Sequence, residues 1–469
     1  MPAAPAPILL LAALAVAVCQ TVVVAALPLF GQDLGVSATT ATWLLTAFML
    51  ASAVTTPIAG RLGDLYGHRR VLIAGLAALA AGSLLAAASD HAGWFAGLLA
   101  GRALQGVSGG VLPAAFGLAR RLAPADRLDG LVAALSAMFG VGGALGMVVA
   151  GPIVAVTGTP ALFWLGLALA VIPLFGALLL PAGPLPSTVD HRRLDVLGAA
   201  LLSAALVALL LGISQGRAWG WASAATLGTF VACLVAVAAF VAVERRTAVP
   251  VVDLRLLRLP ALAATNIATV VISVGMFAAV TIIPQYAQTP TRAGYGFGDG
   301  PAETGLLMAP TALLMVVTAP LAARLSRRTS GRATFQLGAV LAAVGLGMLG
   351  FVHSAPWQFY VAGAILGAAY GFAFASVGTL VVGAVEHHQT GAASGINTIL
   401  RTIGGALGAQ LAVVVLANSA TAPSPLPTEA GYTTAFLASA GIAALAFLAA
   451  LAIPGTMWRV TVPRRVTTS

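Results

Sequence analysis

Gly60-Arg61-Leu62-Gly63-Asp64-Leu65-Tyr66-Gly67-His68-Arg69-Arg70 stands between two apolar runs, Thr42 to Ala59 and Val71 to Ala88. The glycines suit a tight turn because they tolerate backbone angles that other residues avoid. Asp64 and the arginines need a polar surface. A run of about 20 apolar residues is long enough to cross a bilayer, and both neighbours come close to that length. The stretch therefore reads as a turn at one face of a membrane, with one span entering it and another leaving.

Extended outward in both directions, this reading finds fourteen apolar runs, from Ile8 to Leu29 at one end to Thr433 to Ile453 at the other. The composition agrees. Of 469 residues, 60% are hydrophobic and 8% charged, with a mean hydropathy of +1.01, whereas an average soluble domain carries roughly 25% charged residues. The chain is an all-α integral membrane protein by this measure. Ile8 to Leu29 is expected to be a retained span rather than a signal peptide, since it lacks a basic n-region and is longer than the usual apolar core of such a leader.

A formal charge of +10 would suggest a nucleic-acid partner in a soluble chain. Here its distribution says otherwise. With a cytoplasmic N-terminus, 19 arginines fall in the inner loops and 2, Arg217 and Arg292, in the outer ones; Arg102 and Arg401, inside spans, complete the 23 basic residues. The positive-inside rule then sets both termini in the cytoplasm and the protein in the plasma membrane, and no nucleic-acid partner is needed. All 23 basic residues are arginine, which excludes a Walker A lysine and Schiff-base chemistry. Cys19 and Cys233 lie inside spans and read as small apolar fillers. No span clusters catalytic or metal-binding side chains, so no enzyme, cofactor or metal site is expected.

Two short segments recur at nearly the same offset. Gly142-Gly143-Ala144-Leu145-Gly146 returns as Gly404-Gly405-Ala406-Leu407-Gly408, and Pro57-Ile58-Ala59-Gly60-Arg61-Leu62 as Pro320-Leu321-Ala322-Ala323-Arg324-Leu325. They pair span 2 with span 10 and span 5 with span 13. That arithmetic describes a six-helix bundle over residues 1–181, cytoplasmic linkers with two inserted spans over 182–258, and a second six-helix bundle with a cytoplasmic tail over 259–469. Paired halves of this kind suit rocking around a central cavity.

The opening stretch resembles the G-x-x-x-D-[RK]-x-G-[RK]-[RK] loop of the major facilitator superfamily, with Gly60, Asp64, Gly67 and Arg69 at the matching places, Arg70 following, and Leu65 and His68 departing from it. Arg102-Ala103-Leu104-Gln105-Gly106 is similar to that family's R-x-x-Q-G motif. Gly146 to Gly151 looks like a weakened G-P-x-x-G-G antiporter signature in which Met147 replaces the proline and Ala150 a glycine. Ala25-Ala26-Leu27-Pro28, Leu194 to Gly198, Trp219-Gly220-Trp221, Pro284 to Gln288, Gly305 to Pro310 and Asn397 to Gly408 carry the likeness along the whole chain, toward the fourteen-span drug:proton antiporter branch.

The resemblance implies a secondary transporter working by alternating access, exporting small hydrophobic drugs or a natural product. A metabolite carrier without proton coupling is the alternative. The loop at Asp64 would latch the two halves on the inner face. Cavity candidates are Gln20, Thr21, Arg102, Gln105, Asn266, Gln285, Tyr370, Ser376, Asn397 and Arg401. At the position where the branch carries an acid in span 1, this chain has Cys19, and all thirteen acids fall in loops or at span ends. Asp33 and Glu303, near the outer mouth, are the candidate proton sites. Two cavity cations without a counter-acid favour neutral or anionic substrates.

Overall fold

The computed structural model describes residues 5–36, 38–41, 43–181, 195–247, 255–386, 389–420 and 426–454. Among them every regular element is helical. The first part of the chain forms α1 (Pro5–Thr21), α2 (Leu27–Asp33), α3 (Ala38–Ala41), α4 (Trp43–Tyr66), α5 (His68–His91), α6 (Phe95–Gly106), α7 (Val111–Leu122), α8 (Ala125–Thr157) and α9 (Pro160–Leu179). Then come α10 (Val196–Trp219) and α11 (Ala224–Glu244). The remainder forms α12 (Pro260–Gln288), α13 (Pro301–Arg328), α14 (Gly331–Phe351), α15 (Pro356–Gly383), α16 (Thr390–Ser419) and α17 (Glu429–Leu451).

Twelve of these helices are long and apolar enough to cross a membrane. The expected count of fourteen is not met by unbroken helices, because the spans read at Ile8 to Leu29 and Ala92 to Phe116 are each interrupted by a 3-10 turn, Val24–Ala26 and Val107–Gly110. Both interruptions lie just ahead of a proline, Pro28 and Pro113. A proline has no N–H to return to the carbonyl four residues earlier, so Val24 and Gly109 are relieved of an α-helical partner and the chain tightens locally. The opening stretch holds a related surprise. Gly60 and Gly63 are helical, and the turn is Gly67 alone, at a φ of 95° that disfavours any side chain.

The repeat is visible in the packing. In the N-terminal half, Gly142 and Gly146 of α8 lie against α1, so close that a Cβ on Gly146 would stand 2.7 Å from the Val18 carbonyl. In the C-terminal half, Gly404 and Gly408 of α16 lie against α12 in the same way. A Cβ on Gly404 would be 2.6 Å from the Val270 carbonyl, and one on Gly408 would collide with that of Val274. Small residues let helix backbones approach where lipid supplies no hydrophobic drive for association.

A second repeated feature is the way α5 is fastened to α9, and α14 to α17. Arg69, at the start of α5, donates from Nε and Nη2 to the carbonyls of Ala177 (3.1 Å) and Leu178 (2.6 Å), in the last turn of α9. Arg332, at the start of α14, donates to the carbonyl of Ile453 just past α17 (3.1 Å). Carbonyls at a helix C-terminus lack intrahelical partners and carry its negative dipole end, so guanidinium groups suit them. At the opposite end, Thr159 at the head of α9 hydrogen-bonds Asp90 of α5. There, too, His353, just past α14, meets Glu429 of α17 at 3.5 Å. Each half thus has its third and sixth helices tied at both ends.

The two halves meet along two seams. On one, α8 runs against α13, with Gly151 under Pro301 and Ala302, and Gly305 under the Val148 carbonyl. On the other, α4 faces α16 with α10 laid into the crevice. There Leu206 and Leu210 share a small core with Ala53 and Ile399, and Ser214 hydrogen-bonds Thr46 of α4 (2.9 Å). Beyond α10, α11 exposes Leu227, Val231, Leu234 and Val235 by half or more, the pattern of a lipid-facing helix.

If close approach of α16 to α12 holds the C-terminal half together, Gly408→Val will lower the melting midpoint of the detergent-purified protein by several degrees. The immovable obstacle is backbone, and overpacking costs about 1–3 kcal/mol. Gly441→Ala, at an exposed position with open space around it, will leave the midpoint unchanged.

Candidate functional site

A small cavity lies between the halves. Gln20 and Thr21 of α1 and Gly143 of α8 form the N-terminal wall; Met276, Phe277 and Val280 of α12, Phe374 of α15 and Arg401 of α16 form the other. The guanidinium carbon of Arg401 stands 5.7 Å from the centre of the Phe374 ring, within the range of a cation–π contact. Thr21 is committed to its neighbour, donating to the Gly143 carbonyl at 2.8 Å. Gln20 lies near the end of α1 and is buried. Apolar chains and two phenyl rings make nearly all of this surface, with Gln20 and Arg401 among the residues at its wall.

The second in-span arginine is placed differently. Arg102, on α6, is wholly buried. Its Nε donates to the Leu44 carbonyl (2.9 Å), while Nη1 donates to the Cys19 carbonyl (2.8 Å) and to Oε1 of Gln105 (2.6 Å). Its guanidinium carbon is 4.7 Å from the Phe48 ring centre. Gln105 passes the chain on, donating to the Ser83 hydroxyl at 2.7 Å. The Cys19 carbonyl lies in the last turn of α1, where the interruption has removed its helical donor. Arg102 and Gln105 therefore tie α1, α4 and α5 to α6 behind the cavity wall.

The other expected cavity groups divide likewise. Asn397 donates from its amide to Oδ1 of Asn266 (2.9 Å) and to the Thr269 hydroxyl (3.0 Å), closing a polar bridge between α16 and α12. Tyr370 is buried one turn from Phe374, and its hydroxyl has no hydrogen-bond partner among the described residues. Ser376 donates to the Ala373 carbonyl within its own helix. Gln285 is exposed. In the opening motif, Arg69 binds α9 of its own half, Arg70 is exposed, and the side chain of Asp64 lies outside the described residues.

Of the mouth acids, Asp33 and Glu303 are both exposed. Beside Glu303 stands Asp299, whose carboxyl is pushed above its ordinary range by burial and, secondarily, by the Glu303 charge. Sequence reasoning passed over Asp299, although its spacing from Glu303 is one helical turn. It also passed over Phe277, Phe374, Met276 and Val280, because apolar residues inside apolar spans carry no signal of their own.

Repeated halves about a shared cavity define the class, a rocking carrier of small molecules. Residues 9–409 match the family model described as Major Facilitator Superfamily, and the chain belongs to that superfamily: it is a secondary transporter, not an enzyme. It is 32% identical to the cephamycin export protein CmcT of Amycolatopsis lactamdurans over 92% of this chain and 87% of that one. It is 28% identical to the tetracenomycin C resistance and export protein of Streptomyces glaucescens over 86% of this chain and 74% of that one. Among solved structures, the human organic anion transporter MFSD10 superposes with a TM-score of 0.63 at 17% identity, over 95% of this chain and 98% of that one.

These placements predict opposite behaviour for the two arginines. Arg102→Ala strands buried carbonyls at about 1–3 kcal/mol each and will lower the melting midpoint by several degrees. Arg401→Gln will lower it far less and will alter transport instead. Thermal unfolding of both purified variants, alongside an efflux assay, checks the pair.

Proposed function

We propose that the protein exports a natural product or drug by alternating access, carrying it in the cavity between Gln20 and Arg401. The observation that carries this reading is the cavity itself, walled by both repeat-related halves in a chain whose relatives at comparable length are antibiotic export proteins. Neutral or anionic substrates suit its lining. The interrupted segments, α1 with α2 and α6 with α7, count as two further spans: each runs through the core of its half, and together with the twelve unbroken helices they make fourteen. On this reading residues 1–181 and 259–469 are the rocking bundles, 182–258 carry the inserted pair, and both termini face the cytoplasm, the arginine-rich side.

Where protons accompany the substrate, they bind near the outer mouth, at Asp33 or Glu303, since Cys19 stands where the branch carries its span 1 acid. A second reading, a carrier without proton coupling, is favoured by one observation: among the described residues that line the cavity there is no acid and no histidine.

Expression in a pump-deficient host tests the export reading. Tolerance toward a panel of polyketide and β-lactam compounds will rise at least fourfold for one or more members, and Gly151→Leu, which forces a side chain into the backbone of the α8–α13 seam, will abolish the gain at equal membrane abundance. In proteoliposomes, an Asp33→Asn, Glu303→Gln double variant that has lost substrate-dependent proton movement identifies the coupled reading. Retention of full transport in that variant identifies the uncoupled one.

A further inference from the structure

We infer that His353 and Glu429 form a proton-binding site: they share one proton between the end of α14 and the start of α17, and that proton holds the cap of the C-terminal half in place.

The tautomer carries the assignment. Nδ1 of His353 lies 2.7 Å from the Leu349 carbonyl, one of those that the end of α14 leaves without a helical N–H. A carbonyl can only accept, so Nδ1 carries a hydrogen. Nε2 is buried without a hydrogen-bond partner among the described residues and stands 3.5 Å from Oε1 of Glu429. In a neutral imidazole protonated on Nδ1, Nε2 presents a lone pair, which an ionised carboxylate repels. The approach of the two groups therefore requires a proton between them. The helix ends favour the imidazolium–carboxylate form: His353 follows α14, at the negative end of its dipole, and Glu429 lies in the first turn of α17, at a positive end. Glu429 is 56% exposed, so the buried imidazole exchanges its proton with water along the carboxylate. On the orientation proposed above, that water is outside the cell.

The neighbours leave the titration to this pair. Tyr286 of α12 meets the imidazole edge-on at 5.3 Å, and Phe436 of α17 lies at 6.0 Å. Tyr432 of α17, Tyr295 from the segment between α12 and α13, and Phe359 of α15 complete the cluster. Tyrosine hydroxyls ordinarily ionise only near about pH 10. Arg292, Asp299 and Glu303, farther along the chain, make no ion pair with His353 among the described residues, and residues 421–425 contain no ionisable side chain.

The proton holds more than one helix end. The start of α17 is where the cap is anchored: the Tyr295 hydroxyl donates to the Pro427 carbonyl, and the Tyr432 hydroxyl lies 3.2 Å from Oγ1 of Thr289. The amides of Gly298 and Asp299 donate to the carbonyls of Thr289 and Ala287, each at 2.9 Å. The same segment runs into Pro301 and Ala302, which pack on Gly151 of α8. Loss of the proton sets a lone pair against a carboxylate, releases the start of α17 and loosens the cap beside the seam between the halves. A folded state that binds the extra proton loses stability as pH rises, and histidine ordinarily changes charge between about pH 5 and 8.

Thermal unfolding of the purified full-length protein at about pH 6 and about pH 8.5 tests the site. Glu429→Gln will lower the melting midpoint by several degrees at the acid pH, where it removes the partner of the imidazolium. At the alkaline pH it will raise the midpoint, because its amide N–H can donate to the Nε2 lone pair. In a His353→Gln background the same substitution will have equal effects at both pH values. Hydrogen exchange of residues 289–300, corrected for its intrinsic pH dependence, will be several-fold faster at the alkaline pH in the unsubstituted protein and unchanged in Glu429→Gln. An effect of Glu429→Gln that is equal at both pH values, a pH-dependent effect that survives in His353→Gln, or exchange of 289–300 that ignores pH in the unsubstituted protein overturns the inference. None of these results touches the export reading, which rests on drug tolerance.

Discussion

A guanidinium in hydrocarbon costs about 3 kcal/mol even on the most lenient scale, and the N-terminal half is arranged around meeting that cost at Arg102. What meets it is not an opposite charge but backbone. The break after α1 frees the Cys19 carbonyl, and Leu44 and Gln105 add two more acceptors. Hydrogen bonds to a charged group are worth about 1.5–3 kcal/mol each, so three of them outweigh the insertion cost. The consequence is mutual. The arginine needs a broken helix, and the broken helix needs a donor that can span three elements, which a rigid five-donor fork does and a point-like ammonium would not.

Both arginines looked alike along the chain: single charges deep inside apolar runs. What separated them was where helices end, a property of tertiary packing. Arg102 sits opposite an interruption and is consumed by it. Arg401 sits one turn from Asn397, whose amide bridges to Asn266 and Thr269, and it lies at the cavity wall beside Phe374. The repeat was legible because glycines and prolines at matching positions mark backbone contacts and bends, and the structure uses Gly142, Gly146, Gly404 and Gly408 for the same purpose in both halves. The staples were not legible. Arg332 counted only as one more inner-loop charge, and Asp90 and His353 only as groups at span ends, since nothing in a linear pattern says that the third and sixth helices of a half are neighbours. The interruptions were not legible for a related reason: hydropathy is blind to a 3-10 turn inside an apolar run.

The divergence of the halves is as informative as their likeness. At the end opposite the basic turns, the N-terminal half closes with Asp90 and Thr159, the C-terminal half with His353 and Glu429 beneath a cluster of rings. Tyr286 stacks on Phe359 at 5.2 Å and meets Phe297, His353 and Tyr432 edge-on at 5.2–5.4 Å. The segment from Thr289 to Gly300 is folded onto that cluster, turned by Gly296 at a φ of 78° and held by the Tyr295 hydroxyl on the Pro427 carbonyl. Desolvation there keeps the Tyr295 hydroxyl protonated beyond its ordinary range, with the Glu429 charge a lesser cause. This segment delivers Pro301 to Gly151, so the rigidity of the cap is passed directly to the place where the halves touch.

A carrier that rocks has to be strong within its halves and yielding between them, and the distribution of interactions follows that requirement. The ties inside each half are charge-assisted or polar: Arg69 on α9, Arg332 at the end of α17, Arg102 on three elements, Asn397 on α12. The contacts between halves are of another kind. Along α8 and α13 they are glycines against backbone; along α4, α10 and α16 they are leucine, isoleucine and alanine, with polar contacts of Thr46 and Gln410 to Ser214. Dispersion contacts are individually worth only ~0.1–0.2 kcal/mol and are lost and regained gradually as surfaces slide. A buried hydrogen bond to a charge is lost all at once. Placing the second kind inside the bundles and the first kind on the seams lets the halves move as bodies about the cavity, with Gln20 on one and Arg401 on the other.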